Sequence, residues 1–373
     1  MFRWTRVVPF AGVVVLLTAA CGDNPQTATL SDPAAVTSDL NAANDVFETP
    51  TFKSFSAMSG MLKSNPPGSA AALAATTAPS AALLDDRPSV RAALAARDLA
   101  HLAPLYSVTA PQDSFLPDSI LGTYEWNVQT AAYEKTARPG APANTIRIIL
   151  YAIDPITNLP IVPLDEVGYV DFTDNQTPGV GGSLGIAVRD SAGTTTYLDY
   201  DVTVTANPSG FGANSTGFVA NGQGRRLDFS VQFLATGNDT QGTVSVDATV
   251  QVNTPDVGAE VHDAVSFTAT TVNITRDFRV HRGSETIRIT GTLLITETAP
   301  QTFSVTISVT VTVNGGVFVT IQGTDQGITV TKADGTEHTA AERAALARLL
   351  EAADDFLDDL GDLFEPVEIL TGT

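Results

Sequence analysis

The sequence predicts a β-dominated α+β fold: a long antiparallel β-meander forming a curved sheet or half-barrel, packed by N-terminal helices and a C-terminal amphipathic helix. Three observations lead there. Apolar and polar residues alternate from about Gly122 to about Lys332, the period of a strand with one buried face. Short turns join these segments and keep apolar residues opposite one another on successive strands. Both flanks instead show helical spacing, with apolar stripes that need a surface to bury against. About a dozen long strands exceed what a flat sheet carries without curling or splitting. A two-sheet sandwich and a membrane β-barrel share the pattern. An aromatic content of 7% and an acidic terminal helix weigh against the membrane barrel, which needs aromatic girdles.

The chain opens with Arg3 and Arg6, an apolar run over residues 7–17, and small residues up to Cys21. That order is a secretory signal, and the run is shorter than the roughly 20 apolar residues a spanning helix needs. Leu17-Thr18-Ala19-Ala20-Cys21 resembles the lipobox of bacterial lipoprotein precursors, with the leucine one place further from the cysteine than is usual. The resemblance covers the leader and Cys21 alone. It implies that residues 1–20 are a signal peptide, that Cys21 is acylated and begins the mature chain, and that the protein sits in the cell envelope. Gly22 in place of Asp after the cysteine implies the outer membrane in a diderm host. More than one acyl chain on Cys21 gives stable anchoring. Residues 21–31 then read as a lipidated tether.

Residues 32–121 read as a helical region. Asp32-Pro33 supplies an N-cap and an N1 proline, Val36, Leu40, Ala43 and Phe47 follow at helical spacing, and Thr49-Pro50 stops the run. Phe52, Phe55, Met58, Met61 and Leu62 predict a second helix. Residues 64–84 are an Ala/Pro-rich linker, and Asp85-Asp86-Arg87-Pro88 opens a third helix running to about Leu102.

Residues 122–333 form the predicted β domain. Residues 145–153 are apolar on both faces, as in a strand covered on both sides. Further strands are expected at 166–172, 184–189 and 197–205. A turn at Asn238-Asp239 sets Phe233 opposite Val244 and Phe229 opposite Ala248. A type II′ turn at Gly283-Ser284 sets Val280 opposite Ile287 and Phe278 opposite Ile289. It also places an inward Arg276 opposite Gly291, and Arg279 opposite Arg288 with Asp277 diagonal to relieve the like charge. Residues 303–313 show the cleanest alternation, and a three-residue loop, Asn314-Gly315-Gly316, pairs Val313 with Val317, Val311 with Val319 and Val309 with Ile321. Residues 334–373 are a terminal helix and tail. Thr339 and Glu342 form a capping box, Leu346, Leu349, Leu350, Ala353, Phe356, Leu357 and Leu360 form its stripe, and Pro366 ends it.

Composition narrows the chemistry. The chain has 373 residues with 20 Lys and Arg against 41 Asp and Glu, and loss of the leader arginines makes it more acidic still. Nucleic acid is therefore excluded as a partner, since phosphate binding needs concentrated basic residues. Cys21 is the single cysteine, so stability rests on packing and not on disulfides. Gly181-Gly182-Ser183-Leu184-Gly185 matches G-x-S-x-G, but its flanks continue as strand where a nucleophile elbow opens a helix. His101, His262, His281 and His338 lack metal-ligand spacing, so no metal or cofactor is expected. Asp171, Asp174 and Asn175 offer a loop with calcium-type ligands, though without the DxDxDG pattern.

The one basic concentration is Arg225, Arg226, Arg276, Arg279, His281, Arg282 and Arg288. Arg276, Arg279 and Arg288 are its candidates for an anionic ligand; cross-strand ion pairing is the competing reading. The functional expectation is a non-catalytic, lipid-anchored envelope protein with an apolar or lipid-like ligand, or an envelope protein partner, on its sheet. A structural lipoprotein with a packed interior is the alternative, and a hydrolase using Ser183 stands third.

Overall fold

A computed structural model describes residues 27–64, 115–176, 182–207, 210–238, 241–268, 270–299 and 302–371. Fifteen strands form one curved, unclosed sheet. In chain order these are β1 (Gly122–Asn127), β2 (Ala132–Thr136), β3 (Thr145–Tyr151), β4 (Glu166–Asp174) and β5 (Ser183–Arg189). They continue with β6 (Thr196–Asn207), β7 (Gly210–Ala220), β8 (Arg226–Asn238), β9 (Gln241–Asn253) and β10 (Asp256–Phe267). The last are β11 (Thr271–Arg282), β12 (Glu285–Ala299), β13 (Thr302–Val313), β14 (Gly316–Thr324) and β15 (Gly327–Lys332). The alternating stretch begins and ends where the sequence places it.

From β3 to β15 the sheet is an antiparallel meander, each strand beside the next. The other end departs from that plan. β1 lies between β2 and β3 and runs parallel to β3. Residues 137–144 lead past the start of β1, and Arg138 there forks onto Glu166 at 2.6 and 2.9 Å and reaches Glu125 at 3.0 Å. β3 is buried on both faces as predicted: Ile146, Ile148 and Leu150 on one side, Ile149 and Tyr151 on the other.

The hairpin registers test the turn chemistry. Gly283, with φ +57°, makes the turn before β12, and Val280–Ile287, Phe278–Ile289, Arg276–Gly291 and Arg279–Arg288 pair as expected. At β8–β9 the register differs. Strand pairing continues to Asn238 opposite Gln241, so Phe233 faces Val246 and Phe229 faces Val250. The two-residue shift preserves parity and keeps every apolar side chain on its face.

At β13–β14 the structure combines two geometries. Asn314 and Gly315, at φ +49° and +84°, form a two-residue turn with Val313 opposite Gly316. A β-bulge after Val311 then restores the Val311–Val319 and Val309–Ile321 pairs. The extra residue is absorbed in the strand, and both Phe318 and Val319 are buried.

Three α-helices cover the inner face: α1 (Pro33–Asn44), α2 (Pro50–Ser64) and α3 (Ala340–Thr371). Asp32 caps α1 through Ala35 N–H at 3.0 Å, and Thr49 caps α2 through Phe52 N–H at 3.1 Å. Their stripes bury Val36, Leu40, Phe55, Met58 and Leu62 in one cluster with the strands. Thr339 and Glu342 form the reciprocal capping box at 2.8 and 3.2 Å. Pro366 does not end α3, which continues to Thr371. Proline cannot donate to the carbonyl one turn back and opens the helix there. The buried Tyr200 hydroxyl of β6 donates to the neighbouring Leu363 carbonyl, and burial pushes the Tyr200 pKa well up. Leu363, Phe364, Val367 and Leu370 carry the apolar stripe past the proline, and that burial holds the last turns in place.

The predicted tether is shorter than composition suggests. Thr27 bridges to Val317 in parallel, Ala28 N–H donates to the Val317 carbonyl at 3.0 Å, and Leu30 is buried. Residues 1–26, with the leader and Cys21, and residues 65–114, with the linker, the third helix and His101, lie outside the described residues.

Candidate functional site

The meander places its turns on two rims. The rim bearing the β3–β4, β5–β6, β7–β8, β9–β10, β11–β12 and β13–β14 connections also receives Thr27 at Val317 and is the tether rim.

The three candidate arginines do not converge. Arg276 lies on the inner face, where it meets Asp263 of β10: Nη2 is 2.9 Å and Nε 3.2 Å from the carboxylate. Asp263 is buried, and its side chain is wholly so. Gly291 on the far side leaves room for the guanidinium, with its Cβ position only 3.1 Å from Val309 Cγ2. A charged pair set among Val, Ile and Phe fixes the arginine at one place in the trough. A buried pair of this kind is costly to break from either side.

Arg279 and Arg288 face outward and share Asp277. Arg288 binds it through Nε and Nη2, both at 2.7 Å, and Arg279 Nη2 lies at 3.1 Å. The hydrogen bonds from Arg288 and then Arg279 hold the Asp277 carboxyl below the usual carboxylate range. Asp277 relieves the like-charge contact as the register implies. Glu260, 3.5 Å from Arg279 and 3.7 Å from His281, extends the network. These are cross-strand ion pairs on an exposed surface, the competing reading of the basic cluster.

Arg226 pairs with Asp228 on its own strand at 2.8 and 2.6 Å, while Arg225 and Arg282 do something the sequence does not reveal: they fasten α1 to the sheet. Arg282 binds Asp39, with Glu285 3.6 Å away. Glu285 in turn accepts the Ser31 backbone N–H at 2.8 Å. Arg225 reaches the Ala42 carbonyl and Asp45 at 3.1 and 2.9 Å. At the other end Lys332 of β15, itself buried, meets Glu342 of α3 at 2.9 Å. Burial pushes the Glu342 pKa up, but the Thr339 N–H and Lys332 outweigh it and hold the carboxyl below its usual range. All these contacts lie on the tether rim.

A cleft of about 790 Å³ lies between α2, the β3–β4 loop and the end of α3. Phe47, Phe52, Met61 and Leu159 supply its apolar walls, and Asp359 and Asp362 its acidic edge. Ser56 donates to Asp362 at 3.1 Å across that edge. An apolar wall beside carboxylates suits a chain or ring with a polar or cationic end.

The other candidates have structural occupations. Ser183 opens β5 and donates to Asp201 on the next strand at 3.1 Å, with no helix after it. His262 pairs with Asp247 at 2.6 Å, and His338 stacks edge-on against Phe318. The calcium-type loop is dismantled. Arg147 takes both Asp171 oxygens at 2.7 Å, while Asp174 accepts the Phe115, Leu116 and Gln176 N–H groups. No group of three His, Cys, Asp or Glu side chains among the described residues converges on a metal position. No protein-family model matches the chain, and no curated protein or solved structure matches it either.

Proposed function

We propose that the protein is a lipid-anchored envelope protein without a catalytic centre, held by acyl chains on Cys21, that receives an apolar or lipid-like ligand in the cleft beside the β3–β4 loop. The supporting observation is the cleft itself: about 790 Å³ and open to solvent, with Phe47, Phe52 and Met61 on one side at the margin of a continuous core and Glu48, Lys53, Asp359, Asp362 and Glu365 along its polar edge. Beneath the helices the inner face is occupied by Phe55, Met58, Leu62, Leu349, Phe356 and Phe364, which favours a rim site over a central lipid cavity.

Mass spectrometry of an organic extract of the purified protein tests the ligand. A near-stoichiometric lipid that disappears with Ala57→Trp, a substitution that fills the cleft, supports the reading. A protein free of lipid, and indifferent to added fatty acid or phospholipid, overturns it in favour of the packed, structural alternative. Cys21→Ser tests the anchor separately: an uncut, unacylated precursor is expected, and normal processing defeats it.

A further inference from the structure

We infer that the loop 152–165 is a second membrane contact, laying its apolar side chains into the bilayer surface from the same rim as the anchor; the inference rests on the anchoring reading above. Ile156 is 90% exposed and Val162 63%, and Leu159, Ile161 and Leu164 are exposed with them. Val128, on the β1–β2 turn of the same rim, is exposed too. The other exposed large apolar side chains among the described residues are Leu234, Leu294 and Phe303, each on a different strand. An apolar patch concentrated in one loop marks an interaction surface, where scattered ones do not.

The loop is built to present these residues. Ile161 N–H donates to the Ala152 carbonyl and Ala152 N–H to the Asp165 carbonyl, both at 2.9 Å. At its tip Asp154 N–H donates to the Leu159 carbonyl at 2.9 Å, and the Asp154 carboxylate accepts the Ile156 and Thr157 N–H groups at 2.8 and 3.1 Å. These bonds satisfy much of the backbone inside the loop, which a segment entering lipid requires.

Position identifies the occupant. The loop joins β3 to β4 on the tether rim, where Thr27 is bound to Val317. Cys21 lies six residues before Thr27. Six residues reach at most about 21 Å, so an acylated Cys21 holds the β14 end of this rim close to the bilayer, and the β3–β4 loop opens on the same rim ten strands along. The loop contains Asp154 and Asp165 but no lysine or arginine, and the whole chain is strongly acidic. Attraction therefore comes from apolar burial and does not need anionic lipid.

The test uses the whole chain with Ile156→Cys, made through its own leader, labelled with an environment-sensitive dye and reconstituted into phosphatidylcholine vesicles. Gln326→Cys, on the exposed turn at the opposite rim, is the reference. The label at 156 should shift to the blue and be quenched by brominated lipid, while that at 326 keeps its aqueous emission. Adding Val162→Asp should return the label at 156 to water, and raising the salt should not. A label at 156 that behaves like the one at 326 overturns the inference and leaves the loop to a protein partner. Label stoichiometry separates the two readings: one dye per chain means that Cys21 is blocked, two means that it is free and the anchoring reading has failed. In that event Cys21→Ser is added and the vesicles are supplied externally. Absence of quenching at 156 again overturns the loop assignment.

Discussion

β4 and β13 carry the same kind of pattern and meet different fates. On β4, Val170 and Phe172 are wholly buried beneath the helices. On β13 the alternation is cleaner, yet Val305, Ile307 and Val309 are only partly covered and Phe303 is 40% exposed. Burial deepens along β13 towards the tether rim, where Val311 and Val313 are closed over. Alternation states which face is apolar. It does not state whether anything lies on that face, and here the difference is made by helices gathered at one rim.

The sharpest way to break this comparison is to truncate matched side chains. Phe172→Ala should cost about 3–5 kcal/mol, because the rigid surroundings cannot collapse into the space. Phe303→Ala should cost under about 1 kcal/mol, since water already reaches the ring. Urea unfolding of the two variants measures both, and equal losses would show that β13 is covered in solution.

A second contrast sets inner against outer charge. Arg276→Met leaves the buried Asp263 carboxylate without its arginine and should destabilise by about 3–5 kcal/mol. Arg288→Ala, on the exposed face, should change stability by no more than about 1 kcal/mol. Double substitution of Arg276 and Asp263 by apolar residues should recover much of the first loss, which a mutant cycle can read.

The helix cap is a smaller effect. Thr339→Ala removes the hydroxyl that caps α3 and should cost about 1 kcal/mol, seen as a lower melting temperature. The smallest contrast is the response to acid. Asp277 and Glu342 both titrate below their ordinary values, so their contribution is fully present above the unfolded carboxylate range. It is lost as pH falls through the folded values, below about 4. Thermal melts from pH 6 downwards should show little change until that range, with Asp277→Asn flattening part of the fall.

Much of the meander was legible because its rules are local. The β11–β12 register follows from Gly283-Ser284, and the limits of the sheet from where the period changes. The parallel β1–β3 pair was not, since it depends on how residues 137–144 route the chain and not on any pattern within β1. Arg276 was correctly turned inward through its neighbour Gly291 on one side, but its partner Asp263 sits across the opposite strand pair. The arginines that fasten α1 join residues 243 positions apart in the Arg282–Asp39 pair and 180 apart in the Arg225–Asp45 pair. No spacing in the sequence reveals a contact of that range. Pro366 misled for a related reason: its usual meaning is local, and burial against β6 overrides it.

The helix that closes the trough is made after the strands it covers. Strands of a meander can pair with the neighbour just before them as the chain emerges. α3, residues 340–371, comes after all of them. Until it arrives, the inner faces that Leu349, Phe356, Leu360 and Phe364 will cover stand open to water. Chains cut short before α3 should therefore keep that part of the trough exposed and aggregate instead of maturing.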